Sequence, residues 1–421
     1  MNILLIAYQF PPYSNIGSLR IGKLAKHFEK NGFGLHVLCA DKILMPDTLE
    51  VEISPESVHR TKWINVNFLP ESIFGGRGKV INEGYQTKSS ILKTLGYIYR
   101  LFLNFPDERI GWYPYAICEG NRILRQNKID FIYASAPSPT ALLIANKLSR
   151  KWGVPWVAEF RDPWADTVHY DFPEWRRKIE NMIQNKIMKS ASGIVTISHQ
   201  LAKVFEKRFG KPTIVSMNGY AADDIESVKR KMSIKDSRLE IVYTGTVHLD
   251  IVKLDPLFEG ISLLKDKAKQ IKLVFYTRYI EGIVEKARKY NLEKIVYHHS
   301  RIPYKKSLQK QKNADILLFL IPHQYGIFSA KIYEYIGSLR PILAIGDTES
   351  SAGAFLLERG IGFVSKNPDE ISIQLNKWID QKRSGNDIED LPKEKRLGLS
   401  REEQFKNIDE FLFKLKNHKD S

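Results

Sequence analysis

Short apolar runs alternate with amphipathic stretches along most of this chain, the pattern of parallel α/β sheets. Residues 2–8 read as a buried strand, and Phe10-Pro11-Pro12 then breaks regular structure. From Ser18 apolar positions recur at Ile21, Leu24, Ala25 and Phe28, the i, i+3, i+4, i+7 stripe of an amphipathic helix. Asn31-Gly32 ends that helix and residues 35–40 form the next strand, which completes one βαβ unit. After a less regular stretch over 42–125, containing a Gly75-Gly76-Arg77-Gly78 loop, alternation resumes. Strands are expected at 131–134, 156–160, 193–197 and 213–217, with helices at 141–151, 173–190 and 200–208 between them.

A polar, charged stretch at 220–238 has no apolar period and reads as a linker. A second α/β series follows, with strands at 239–244, 272–276, 294–298, 315–320 and 341–345. The intervening helices fall at 256–266, 282–290, 304–313 and 329–337. A last helix carries the stripe Phe405, Ile408, Phe411, Leu412 and Leu415, and Ser400 with Glu403 forms a capping box at its start. The expected class is α/β, two Rossmann-like domains facing across a cleft. Residues 1–219 form the first domain, 220–238 the linker, 239–395 the second domain, and 396–421 a helix returning to the first. Open parallel sheets bind ligands at the carboxyl ends of their strands, so the chemistry is sought there.

Composition narrows the partners. The 421 residues hold 64 Lys and Arg against 48 Asp and Glu, a net charge of +16 that favours anionic partners. Lys and Arg are scattered among acids instead of forming a stripe with interleaved aromatics, so nucleic acid is not an expected partner. Two cysteines, Cys39 and Cys118, are too few for a disulfide framework or a zinc site and suit a reducing compartment. No basic n-region precedes the first apolar run, and no apolar run approaches the roughly 18 residues of a membrane span. The expected location is the cytoplasm, or the inner face of the plasma membrane as a peripheral protein.

Three places carry candidate chemistry. In the first strand–helix turn, Gly17 and free helix-end N–H groups face outward, and Arg20 is a cation where the helix dipole disfavours one; a bound phosphate removes that conflict. The plain alternative is an exposed arginine. At the end of the strand at 156–160, Glu159-Phe160-Arg161-Asp162-Pro163-Trp164 suits holding a polar ligand, or else Arg161 and Asp162 simply pin the loop. In 326–334, Ser329 is a natural N-cap, Lys331 is a cation at a helix start, and Glu334 lies one turn on, placed to accept both hydroxyls of a ribose. The alternative for Glu334 is a solvated surface position.

These pieces together resemble a retaining, family 4 glycosyltransferase of the GT-B fold. Tyr8-Gln9-Phe10-Pro11-Pro12 with Gly17, Arg20 and Leu24-Ala25 resembles the family's opening. Val195-Thr196-Ile197-Ser198 and Val215-Ser216-Met217-Asn218-Gly219 resemble its last N-domain strands. Tyr243-Thr244-Gly245-Thr246 resembles the first donor-domain strand and loop, and the run Ile332-Tyr333-Glu334 through Pro341-Ile342-Leu343-Ala344 the donor-site helix and next strand. Phe160-Arg161-Asp162-Pro163-Trp164 is similar to a branch that builds surface polysaccharides.

The resemblance implies transfer of a hexosyl or N-acetylhexosaminyl group from a nucleoside-diphosphate sugar, UDP favoured, to a glycan or lipid-linked acceptor. It assigns Glu334 to the ribose, Ser329, Ala330 and Lys331 to the diphosphate with Gly17, Arg20 and Arg278, and Phe328 and Thr246 to the donor site. Arg301-Ile302 meets the nucleobase, Asp162 orients or deprotonates the acceptor hydroxyl, and Ser135, Arg161 and Trp164 position the acceptor or its loop. The chain departs from the family pattern in three places. The first of its two motif glutamates falls at Gly326, its Arg and Lys after the first donor strand are replaced in Thr246-Val247-His248-Leu249-Asp250, and its frequent His falls near Ser135. No Asp-x-Asp occurs, so neither metal nor cofactor is expected, and cations take the metal's part.

The aromatic-rich stretch over 95–115, with Lys93 and Arg100 nearby, suits docking on an anionic membrane; equally, its aromatics could fill the N-domain core. Rival readings are a sugar-nucleotide 2-epimerase of the same architecture, separable by its independence of any acceptor, and a degenerate nucleotide-sugar binding protein. An NAD-dependent dehydrogenase is disfavoured because the first strand–helix turn lacks the glycine fingerprint.

Overall fold

The computed structural model describes residues 1–73, 90–166, 170–230, 237–323 and 329–420. It divides into two units, Met1–Met217 with Glu403–Ser421, and Asn218–Glu402. The Gly75–Gly78 loop expected from the sequence lies outside the described residues, as do Gly326 and Phe328.

The first unit is built on a fully parallel sheet of seven strands among the described residues. They are β1 (Asn2–Ile6), β2 (Gly34–Ala40), β3 (Val58–Thr61), β4 (Phe131–Ala136), β5 (Trp156–Phe160), β6 (Gly193–Thr196) and β7 (Thr213–Val215). Their order is β3-β2-β1-β4-β5-β6-β7, so the winding reverses between β1 and β4. Strand periodicity sends alternate residues to opposite faces. Leu4 and Ile6 join the core on one side, with Ile132, Ala134 and Trp112, while Ile3 and Leu5 join the other. The Arg401–Asp420 helix places Phe405, Ile408, Phe411 and Leu412 in that second core.

The second unit has six parallel strands among the described residues: β8 (Leu239–Thr244), β9 (Ile271–Tyr276), β10 (Val296–His299), β11 (Ile316–Leu320), β12 (Ile342–Ile345) and β13 (Gly362–Ser365). Their order, β10-β9-β8-β11-β12-β13, reverses between β8 and β11. Each unit is thus a Rossmann-like doubly wound sheet.

Two strands escape the sequence pattern. β3 reads Val-His-Arg-Thr, is half-buried and lies at the sheet edge, so it has no apolar run to announce it. β13, Gly-Phe-Val-Ser, is likewise a short edge strand. The polar stretch at 220–238 is not all linker: Ala222–Ser227 is helical, Tyr220, Ala221 and Ile225 are buried, and Tyr220 forms a parallel bridge with Ser400. With Asp224 and Val228 also buried, the buried side is too short and mixed to show an apolar period.

Candidate functional site

In the second unit the polar residues gather at the winding reversal, where neighbouring helices leave the sheet on opposite sides. β8 ends at buried Thr244, and Gly245 follows with a φ of 113°. Beside that end lies the Lys331–Gly337 helix, which follows β11 in sequence. It begins two residues later than the spacing suggests. Ala330 occupies the N-cap with no side-chain hydrogen bond, and Ser329 is outside the helix, its Oγ accepting from the Lys331 N–H at 3.4 Å.

Lys331 reaches back over the sheet. Its Nζ lies 3.8 Å from the centroid of the Tyr243 ring, and a Cβ on Gly245 would stand 2.8 Å from it. Glycine at 245 therefore does two jobs: it accepts the positive φ, and it leaves room for the ammonium group. Burial pulls the Lys331 pKa down to about 7, with the Glu334 carboxylate acting in the opposite direction.

Glu334 is half-buried, and burial raises its pKa against the pull of Gln311, Arg401 and Lys331. Gln311 holds the carboxylate in place. Its amide donates to Thr244 Oγ1 at 3.0 Å and to Glu334 Oε2 at 3.3 Å, tying the helix to the end of β8. Thr246 is exposed, and its carbonyl accepts the Tyr243 hydroxyl at 2.7 Å. Arg278 follows β9 and is exposed, its guanidinium over the Tyr279 ring; exposed Arg301 and half-buried Ile302 follow β10. All of them stand at or just beyond the carboxyl ends of strands.

The first unit has its own polar pocket at its own reversal, between β1 and β4. Tyr8 and Gln9 line it from one side, Ser135 and Ser138 from another, and Arg109 and Arg161 from a third. Gly17 lies alongside, since a Cβ there would come within 2.6 and 2.8 Å of the Arg161 Nη atoms. Asp162 is exposed in the bend after β5. Trp164 is buried, and its indole N–H donates to Glu180 at 3.0 Å, which anchors the loop.

Arg20 departs from both sequence readings. It is neither exposed nor directed at a ligand: it is fully buried, pairs with fully buried Glu159 at 2.9 Å, and donates to the carbonyls of Ser216 and Met217 at 2.9 and 3.0 Å. Glu159 also accepts from Tyr133 and Ser135. Burial pushes the Glu159 pKa up, and Arg20, Arg161 and the Ser135 hydrogen bond outweigh it, for a net lowering. The expected conflict between Arg20 and the helix dipole is thus met by a buried carboxylate, which supplies the negative charge from inside the sheet.

Residues 20–220 match the model of Glycosyltransferase Family 4. This stretch is similar to a glycosyltransferase family 4 domain. Across the whole chain the fold is that of GT-B glycosyltransferases. It is similar to sucrose-phosphate synthase from Thermosynechococcus elongatus, at 12% identity with 99% of each chain covered and a TM-score of 0.62. It is also similar to a glycosyltransferase from Rickettsia africae, at 13% identity, 98% of each chain and a TM-score of 0.60. Anabaena HepE in complex with UDP and glucose aligns at 14% identity, over 98% of this chain and 100% of that one, with a TM-score of 0.58. No curated protein matches by sequence.

Arg109 of the first unit and Gln311 of the second were missed in the sequence, and Glu159 was given no role of its own. Glu159 stands inside the apolar run Trp156–Phe160, and a lone carboxylate in a buried strand is itself a signal that a cation must meet it. Arg109 has no signal, because it lies 52 residues before Arg161 in the irregular stretch. Gln311 shares a helix face with Leu308, and a polar side chain on the apolar stripe marks a buried amide that needs partners.

Proposed function

We propose that this chain transfers a sugar from a UDP-sugar to a glycan or lipid-linked acceptor, with retention of configuration and without a metal. The observation that carries the reading is the Glu334–Gln311–Lys331 group at the β8–β11 reversal. There a carboxylate held by an amide stands one helical turn from an ammonium group. Glu334 accepts the ribose hydroxyls, and Lys331 with Ser329 and the adjoining N–H groups faces the diphosphate.

The chemistry follows from charge. Breaking the bond between the anomeric carbon and the diphosphate leaves negative charge on the departing oxygen and positive charge on the carbon. Lys331 and Arg278 stabilise the leaving group in a partly dehydrated site, where such interactions are strongest. Lys331 is positioned where the family's own cations are replaced by Thr246-Val247-His248, since it lies against Gly245 at the start of that loop. Asp162, exposed beyond β5, orients the acceptor hydroxyl or takes its proton.

A lipid-linked acceptor calls for membrane docking. Among the described residues no helix is long and apolar enough to cross a membrane. The Ser90–Leu103 helix nevertheless leaves Ile91, Leu95, Ile98 and Phe102 exposed at i, i+4, i+7 and i+11, and Trp175 and Ile179 of the Glu174–Met188 helix are exposed as well. Phe102 and Trp175 touch, their ring centroids 6.2 Å apart. The other aromatic expectation also has its place, because Trp112 is wholly buried in the core. Exposed Lys178 and Lys186 stand on the second helix, which suits an anionic surface.

The test is a thermal-shift panel of UDP, GDP, ADP, CMP and NAD on wild type and Glu334→Ala. A ligand at a hundred times its Kd stabilises by about 2.7 kcal/mol. A shift by UDP that is lost in Glu334→Ala is the expected result. No shift by any nucleotide on wild type overturns the reading in favour of a degenerate relative.

A further inference from the structure

The pocket at the β1–β4 reversal holds more positive charge than its own carboxylates answer. Its hydroxyls are already engaged: Ser135 donates to Glu159 Oε2 at 2.5 Å, and Ser138 donates to Asp107 Oδ2 at 3.0 Å. Asp107 is occupied in turn, accepting also from the Thr140 N–H at 3.0 Å and the Thr140 hydroxyl at 2.7 Å at the start of the next helix. Glu159 is given over to Arg20, Tyr133 and Ser135.

The two guanidinium groups differ from these hydroxyls. Arg161 uses only its Nε–H, which donates to the Ala136 carbonyl at 2.8 Å, and this hydrogen bond aims its two Nη groups past Gly17. Arg109 lies over the Tyr8 ring, 5.3 Å from the centroid, and Tyr8 is itself fixed edge-on against Trp112 at 5.5 Å. Among the described residues neither guanidinium pairs with a carboxylate. The electrostatics agree in direction: burial lowers the Arg161 pKa, Glu159 and Asp162 oppose it, and Arg20 and Arg109 lower it further, for a net lowering that a negative ligand would offset.

We infer that this pocket binds a compact oxyanion carried by the acceptor, a phosphate or a sugar-acid carboxylate, through Arg109 and Arg161. Both arginines present planar forks of N–H donors, the geometry that matches such groups two bonds at a time. Both are held by packing before any ligand arrives, so little side-chain freedom is lost on binding. The oxyanion would fix the acceptor's register beside Asp162, which follows Arg161 directly in the chain. The acceptor class is then an anionic glycan or a phosphate-bearing lipid-linked sugar. This inference rests on the transferase reading above, because only that reading makes the ligand an acceptor.

Isothermal titration with inorganic phosphate, glucuronate and uncharged glucose, each in the presence and absence of UDP, tests it. The variants are Arg109→Gln, Arg161→Gln and Arg161→Lys, with Arg122→Gln as an exposed control. The expected result is binding of phosphate or glucuronate but not glucose. Affinity should fall at least tenfold in Arg109→Gln and Arg161→Gln, part should return in Arg161→Lys, and Arg122→Gln should not change. Whichever anion binds more tightly identifies the phosphate or the carboxylate as the source. Arg109→Gln leaves the Ala136 hydrogen bond intact, so it remains informative if Arg161→Gln fails to fold. Absence of anion binding by wild type, or equal binding by folded Arg109→Gln, overturns the inference. UDP binding is read in the same titrations, so a chain that binds UDP but no oxyanion loses this inference alone.

Discussion

Lys331 Nζ stands 3.8 Å above the Tyr243 ring, so a half-buried ammonium group is held over an aromatic face at the mouth of a Rossmann-like sheet. The ring's electron-rich face compensates part of the lost hydration, and the rest appears as a pKa drawn down to about 7 by burial. A neutral diphosphate site would not need such a residue. A charged leaving group would complete it.

UDP affinity should therefore depend on pH with a defined sign. Below about pH 7 Lys331 is already protonated and meets the diphosphate as a cation. Above that value the free protein must take up a proton on binding, and affinity falls by up to tenfold per pH unit. Titration calorimetry across this range should show the slope in wild type and a flat response in Lys331→Met.

Stability without ligand should run the other way. The folded pKa of about 7 lies below the ordinary 10.5, so the unfolded chain binds more protons between those values. Stability then rises as pH rises through that window, and Lys331→Met should remove this rise. Urea midpoints at several pH values report it directly.

Gln311→Leu keeps the helix but removes the amide that holds Glu334. A loss of about 1 kcal/mol in stability is expected from the broken Thr244 bond. UDP affinity should fall roughly tenfold, a loss of about 1.4 kcal/mol. A variant with lowered stability but unchanged UDP affinity would show that Gln311 does not position the carboxylate.

Arg20→Met breaks a wholly buried ion pair and strands Glu159 without its cation. The expected cost is about 3–5 kcal/mol, read from denaturant unfolding, with UDP affinity unchanged in the folded fraction. Because the Glu159 pKa is lowered, its contribution is present above the ordinary carboxylate range and is lost as pH falls through the folded value. Acid unfolding of wild type should report that loss.

Phe102→Asp and Trp175→Ser change exposed positions, so stability should move by no more than about 0.5 kcal/mol. Both should reduce flotation with anionic vesicles. Equal background recovery of wild type with anionic and neutral vesicles would remove membrane docking from the proposal.

Local periodicity was enough to read the two α/β series, because a buried parallel strand needs a continuous apolar run and its covering helix a stripe. Leu35–Leu38, Ile316–Leu320 and the Phe405–Leu412 stripe declare themselves in this way. The helix carrying Lys331 and Glu334 was legible too, since a cation and a carboxylate near a helix start are close in sequence. Tertiary structure alone decided which charges meet across the sheet. Arg20 and Glu159 are 139 residues apart, as Gln311 is 23 from Glu334, and no local period links them. Arg109 and Arg161 line one pocket beyond the ends of β1, β4 and β5, which are neighbours in the sheet. A sequence shows that a buried charge needs a partner. Which residue answers is set by strand order, which places distant segments within hydrogen-bond reach.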